Sequence, residues 1–240
     1  MRTLFSDETG CVFMKRILCC LLAALWLCLP VSAEDTPAEY VALTFDDGPS
    51  GPITMRLLDG LRERDAHATF FLCGYRMEQY PAPLPRYLVE GHELGVHSTV
   101  HANLTKLSPG DLRRDLSDTV RAIETSAGVR PTLLRPPGGA YNGAVLEAAE
   151  AEGLSVILWS VDTRDWAARD ADAVLSAMGR SVSDGDIILM HDMSDSSVQA
   201  ALRLVDDLQT KGFRFVTVSE LSALRGRSLE PGAVYGNFRR

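Results

Sequence analysis

The sequence predicts an α/β fold built on a parallel sheet. From Tyr40 to Leu224, short apolar runs alternate with amphipathic stretches, and the connections between them are short. That alternation is the pattern of parallel strands joined by crossover helices. The runs are also continuously apolar, as strands covered on both faces are. A closed or nearly closed β/α barrel and a doubly wound sheet both satisfy these observations. Either architecture places a ligand site beyond the carboxyl ends of the strands.

Strands are expected at residues 41–45, 68–72, 93–97, 132–135, 155–160, 186–190 and 213–217. Helices are expected at 53–63, 84–90, 109–126, 142–152, 170–183, 196–211 and 219–224. The first helix carries Ile53, Leu57, Leu58 and Leu61 at helical spacing. The third opens with Ser108 as N-cap and Pro109 in its first position, then repeats Leu112, Leu116, Val120 and Ile123. Gly128 stops it, and Gly153 and Gly212 close two others.

Residues 1–33 read as a leader. Lys15-Arg16 precede an apolar run of 13 residues, Ile17 to Leu29, and Val31 and Ala33 offer a small-residue cleavage pattern before Glu34. That order is a secretory signal peptide, and the run is short for a membrane span. Met14 is a plausible true start. Residues 34–39 form a polar lead-in, and 40–225 form one domain with no internal repeat or linker. Residues 226–240 have lost periodicity and are expected to be a loosely attached tail. Four of the five cysteines (Cys11, Cys19, Cys20 and Cys28) fall in the leader, so the mature chain keeps Cys73 alone and forms no intrachain disulfide.

The chain is 46% hydrophobic and 23% charged, as soluble globular proteins are. Taking Arg2, Lys15 and Arg16 from the 24 basic residues and Asp7 and Glu8 from the 32 acidic leaves 21 against 30, a net charge of −9. Nucleic acid is not the expected partner of so acidic a chain.

The strand ends carry the chemistry. The first strand runs into Asp46-Asp47-Gly48-Pro49, two carboxylates on a turn. Close carboxylates resist joint ionisation unless a cation lies between them. One of the pair could ligate an ion while the other remains free as a base; taken alone, the stretch also reads as a polar turn. The third strand ends in His97 and His101, four apart, a spacing that puts two imidazoles on one face of a helical turn. With Asp47 they would offer two nitrogens and one oxygen and leave positions open, as catalytic metal sites do. Arg135-Pro136-Pro137-Gly138-Gly139, Asp162 to Trp166, and Leu189 to Asp192 end three further strands. Either Asp165 or Asp192 could hold His191 protonated. His67 and His92 flank strands without carboxylate companions and read as structural. Cys73 and Trp159 read as core.

The motifs TFDDGP, HSxxH, RPPGG, DTxDW and LxH, in that order over residues 40–224, resemble the polysaccharide deacetylase family. This family is also called the NodB-homology domain or carbohydrate esterase family 4. The resemblance implies a distorted (β/α) barrel of about seven parallel strands and removal of acetyl groups from sugar polymers. It also implies one divalent metal, zinc first, with cobalt, nickel or manganese as alternatives. It assigns Asp47, His97 and His101 to the metal, Asp46 to the general base and His191 to the general acid. Arg135 would hold Asp46, Asp165 would tune His191, and Asp162 would support that network. Trp166 and Leu189 would shape the acetyl pocket. Many relatives carry Tyr after Arg-Pro-Pro, where this chain has Gly138-Gly139, with Tyr141 nearby as a partial replacement.

The expected protein is an exported, secreted or envelope-associated bacterial monomer acting on an acetylated amino-sugar polysaccharide, peptidoglycan first. Once its leader is cleaved it would not insert stably in a membrane. Runner-up readings are a non-catalytic carbohydrate-binding relative, an O-acetyl (xylan-type) esterase and a different metallohydrolase such as a phosphodiesterase.

Overall fold

The computed structural model describes residues 38–168, 170–178 and 182–240. The leader, its cleavage pattern and residues 34–37 of the lead-in lie outside the described residues.

The elements run β1 (Glu39–Asp46), α1 (Pro52–Glu63), β2 (Ala68–Leu72), α2 (Gly74–Gln79), α3 (Leu84–Val89), β3 (Glu93–Val96) and α4 (Pro109–Ala127). They continue with β4 (Leu133–Leu134), α5 (Gly143–Ala151), β5 (Ser155–Ile157), β6 (Val161–Asp162), α6 (Ala171–Ala177) and β7 (Ile187–His191). The last are α7 (Asp195–Thr210), β8 (Phe213–Phe215), α8 (Val218–Leu224) and β9 (Val234–Tyr235). The strands form one sheet in the order β6-β7-β1-β2-β3-β4-β5-β9, with β8 on β1. Every pairing between these strands is parallel.

Of the two architectures open from the alternation, the sheet is the distorted barrel. β1 is shared along its length: Glu39–Val41 face Phe213–Phe215 of β8, and Leu43–Asp46 face Ala68–Phe71 of β2. Helix α4 begins and ends as its sequence dictates. The Ser108 hydroxyl accepts the Asp111 N–H, and Gly128 closes the helix at φ 74°.

Side-chain alternation divides the strands between two cores. Val41, Leu43 and Phe45 of β1 pack outward with Phe70 and Leu72 of β2 and Ile188 and Met190 of β7, under the helices. Ala42, Phe71, Leu133 and Ile187 point the other way, into a smaller inner core. Thr44 and Asp46 continue the face of Ala42, and Leu189 and His191 continue the face of Ile187. The candidate site residues Asp46 and His191 are therefore the carboxyl-end continuation of the barrel's inner face.

Four expectations are corrected. Residues 226–240 are packed, not loose. Val234–Tyr235 add a strand to β5, Asn237 bridges Asp186, and the Phe238 N–H donates to Gly185 O at 2.7 Å. Phe238 is fully buried in the inner core. The tail has no long-period pattern because a short strand pairing and one fully buried side chain, Phe238, hold it instead of a helix face. The strand expected over 155–160 ends at Ile157, and a separate short strand, β6, begins at Val161. Helix α2 was not expected, because six residues hold too little periodicity to show. The His97–His101 segment is not a helical turn. It is a loop in which Ser98 and His101 take left-handed backbone angles, φ 67° and 56°.

Candidate metal and catalytic site

β1 delivers Asp46 on the inner face, 3% exposed. The next residue would point outward, but Asp47 adopts φ 71° and its carboxylate turns back toward the same cleft. Asp47 Oδ1 lies 3.3 Å from His97 Nε2 and 3.2 Å from His101 Nε2. The three ligand atoms lie within 4.8 Å of one another. His97 is fixed by its other nitrogen: Nδ1 is 2.7 Å from the Arg135 carbonyl oxygen and donates to it. That bond sets the tautomer in which Nε2 offers its lone pair to the cleft.

These residues fit a divalent ion. Asp47 Oδ1 is buried and has no hydrogen-bond partner, although two imidazole nitrogens face it. A buried carboxylate oxygen without a donor is costly, and a cation among the three groups would remove that cost. Two nitrogens and one oxygen suit zinc-type ions better than magnesium or calcium. Burial works against the Asp47 charge, but the surrounding His97, His101 and His191 outweigh it and lower its pKa. Asp47, His97 and His101 thus form a possible metal site.

Asp46 is held apart from that group. Arg135, at the end of β4, is wholly buried, and its Nη1 donates to Asp46 Oδ1 at 2.8 Å and Thr44 Oγ1 at 2.7 Å. Its Nε and Nη2 donate to the carbonyls of Ile157 and Leu158 at 3.1 and 3.0 Å. The guanidinium lies 4.2 Å from the Phe71 ring centroid and 5.6 Å from that of Trp159. With Oδ1 occupied, Asp46 keeps Oδ2 for other work, 3.8 Å from His97 Nε2.

His191 closes β7 and is the register partner of Asp46 on the neighbouring strand. Its Nδ1 lies 2.8 Å from Asp165 Oδ1, and its backbone N–H donates to Asp165 Oδ2 at 2.9 Å. Burial pulls the imidazole pKa down, but the hydrogen bond and charge of Asp165 prevail and push it up to about 9. Of the two carboxylates the sequence offered, the structure gives His191 Asp165. Asp192 is fully buried and turned away; it accepts a hydrogen bond from the Thr54 hydroxyl, and burial pushes it up to about 6.

The remaining sequence candidates divide. Leu189 is buried on the inner face beside His191, and Trp166 is exposed at the mouth in the short turn Asp165–Ala167. Tyr141 is exposed just past the glycines. Gly138 and Gly139 take φ 63° and 68°, and Gly139 donates to Pro136 O at 2.8 Å, leaving Gly138 as the glycine N–H not spent in that turn. Asp162 does not join the His191 network among the described residues: it is exposed and its carboxylate accepts the Arg164 N–H at 2.9 Å. His92 is structural, accepting the Ala68 N–H on Nδ1 at 3.2 Å. His67 does have a carboxylate companion, Glu220 at 3.6 Å. Sequence reasoning passed over Thr44, Thr54 and Arg76. Thr44 was findable, since period two puts it on the face of Asp46.

A comparison with protein families matches residues 33–157 to the family described as polysaccharide deacetylase. The chain belongs to that family. It is 39% identical over 191 residues to the peptidoglycan-N-acetylmuramic acid deacetylase PdaC of Bacillus subtilis, covering 80% of this chain and 40% of that protein. It is 40% identical over 197 residues to the peptidoglycan-N-acetylglucosamine deacetylase PgdA of Listeria monocytogenes, covering 82% and 41%. The chain thus spans about two fifths of the length of these two relatives. Among solved structures, PdaC matches with a TM-score of 0.75 at 38% identity, over 79% of this chain and 93% of that one. A family 4 acetyl xylan esterase from Clostridium thermocellum, solved with a cobalt ion, matches with a TM-score of 0.77 at 31% identity, over 83% and 98%.

Proposed function

We propose that this polysaccharide deacetylase is a metal-dependent hydrolase that removes N-acetyl groups from an amino-sugar polymer, with peptidoglycan as that polymer and zinc as the ion. One observation carries the reading: a buried Asp46 and a carboxylate-paired His191 stand on adjacent strands, in register, across from Asp47, His97 and His101. Two relatives bear peptidoglycan deacetylase names, which supports the choice of polymer.

Asp47, His97 and His101 would hold the ion, which when bound supplies Lewis acidity to polarise an acetyl carbonyl and ease the deprotonation of water. Asp46 accepts a proton on Oδ2 while Arg135 secures Oδ1. The N–H of Gly138 is available to the developing oxyanion, a contribution of about 2.7–4 kcal/mol at one such donor. An amine cannot depart as an anion. His191, kept protonated by Asp165, delivers a proton from Nε2 to the leaving nitrogen. Each such proton transfer contributes roughly 10²–10⁴ in rate.

That held proton favours amide over ester cleavage, because an alkoxide needs it less. A non-catalytic role would call for a lost ligand, acid or base, and Asp46, Asp47, His97, His101 and His191 are all present. The leader pattern and the relatives' substrate support export to a bacterial envelope, and the completeness of the site within one chain supports a monomer.

The test is acetate release from N-acetylated peptidoglycan, chitin oligomers and acetylated xylan. Protein stripped by a chelator and reloaded with zinc would be compared with protein left stripped. Reloaded protein is expected to release acetate from peptidoglycan, stripped protein to release none, and Asp46→Asn to bind zinc yet stay inactive. No release from any N-acetylated polymer by reloaded protein would overturn the reading. Release from xylan alone would move it to the ester.

A further inference from the structure

Arg76, in α2, stands out against the other guanidiniums near the site. It is half-buried, yet among the described residues it forms no ion pair with a carboxylate. Its contacts go instead to two loops. Nε donates to the Asp47 carbonyl oxygen at 3.4 Å, and Nη2 donates to Ser50 Oγ at 3.2 Å, both in the turn after β1. Nη2 also lies 2.8 Å from the sulfur of Met193, in the loop after β7, and Ser50 Oγ donates to that sulfur at 3.0 Å. The guanidinium is flanked by the rings of Tyr75 and Tyr80, at 5.7 and 5.2 Å. Tyr80 in turn packs on Gly51, where a Cβ would come within 2.8 Å of the ring.

The turn that Arg76 grips carries Asp46 and Asp47, and the loop it bridges to follows His191 directly. A cation placed here eases the charge of the buried Asp192. Because it takes Asp47 by the carbonyl oxygen, both carboxylate oxygens of Asp47 stay available. A salt bridge to that carboxylate would have competed with the ion. The fork geometry matters as well as the charge, since one guanidinium reaches a carbonyl, a hydroxyl and a thioether that a lysine ammonium could not span together.

We propose that Arg76 is a positioning residue that bridges the turn after β1 to the loop after β7, through Asp47 O, Ser50 Oγ and Met193 Sδ, and so fixes the Asp47 carboxylate relative to His191. The proposal rests on the deacetylase reading above.

Its test uses the full chain with Arg76→Gln, Arg76→Lys, Met193→Leu and the double variant Arg76→Gln/Met193→Leu. Zinc affinity is measured by chelator competition, and kcat and KM are measured on zinc-loaded protein. Arg76→Gln is expected to weaken zinc roughly 10–100-fold, the usual effect of losing a group that orients a metal ligand. At saturating zinc its kcat should fall roughly 10–100-fold, with KM within twofold. Arg76→Lys should recover only part of either loss. Met193→Leu should show a smaller loss in the same direction, and the double variant should lose less than the two single losses combined. Wild-type zinc affinity and kcat in Arg76→Gln would overturn the proposal, as would full recovery by lysine or strict additivity. If Arg76→Gln does not fold, Met193→Leu decides alone: unchanged zinc affinity and kcat would overturn the proposal, and a several-fold loss of both would support it. A wild type that releases no acetate would instead refute the deacetylase reading, leaving the zinc measurements to judge Arg76.

Discussion

Replacing Arg135 with methionine removes a cation that no solvent reaches. Its Nη1 bonds to Asp46 and Thr44, its Nε and Nη2 bond to the carbonyls of Ile157 and Leu158, and its plane covers Phe71. Methionine keeps much of the aliphatic volume, so the packing loss is small. The main cost comes from Asp46, left 3% exposed and without its counter-charge. Breaking a buried pair from one side costs about 3–5 kcal/mol, against a total stability of roughly 5–15 kcal/mol. At about 2–4 °C per kcal/mol for a domain of this size, the midpoint should fall roughly 6–20 °C. Thermal unfolding followed by circular dichroism measures that midpoint, and urea unfolding with midpoint and slope fitted separately measures the free energy. The companion variant Arg135→Met/Asp46→Asn lacks the stranded charge and should regain at least about 1 kcal/mol by the cost of an unpaired buried group. A loss below about 1 kcal/mol in the single variant, or no recovery in the double, would refute the claim that Asp46 depends on Arg135.

Asp165→Asn removes the charge that holds His191 protonated. In the wild type the His191 pKa is raised to about 9 from 6.5, so the pair's stabilisation is complete below about 6.5 and is lost as pH rises through about 9. The basic limb of the kcat/KM profile should move toward acid by roughly 1–3 units in the variant, and a limb that stays in place would count against Asp165 as the tuning group. Phe238→Ala should cost about 3–5 kcal/mol in urea unfolding, as for other buried aromatics; a loss under about 1 kcal/mol would restore the loosely attached tail. Gly48→Ala would bring a methyl within 2.6 Å of the buried Asp192 Oδ1, and a destabilisation of about 1–3 kcal/mol is expected from such overpacking. Unchanged stability there would show that the Asp192 carboxylate can yield.

Much of the fold was legible because parallel strands covered on both faces leave long apolar runs. The seven expected strands are seven of the nine found among the described residues. β6 and β9, of two residues each, were not anticipated. Asp46, Asp47, His97, His101, Arg135, Asp165 and His191 were all legible as charged or titratable residues placed where apolar runs stop. Asp162 was misplaced for a local reason: its carboxylate serves the turn beside it, and spacing alone does not show which way a short acid turns.

The sequence by itself determined the strand–helix alternation, the residues at each strand end and the inner-face alternation that joins Thr44 to Asp46. These follow from chain-local rules of period and turn chemistry. Only the tertiary structure decided that Asp47 turns inward at φ 71°, that Asp165 rather than Asp192 takes His191, that Arg76 bridges two loops, and that Phe238 packs into the inner core. Each of those depends on which backbone lies opposite, over separations of about 26 to 117 residues for the side-chain contacts, and a contact between distant strands leaves no periodic trace along either one.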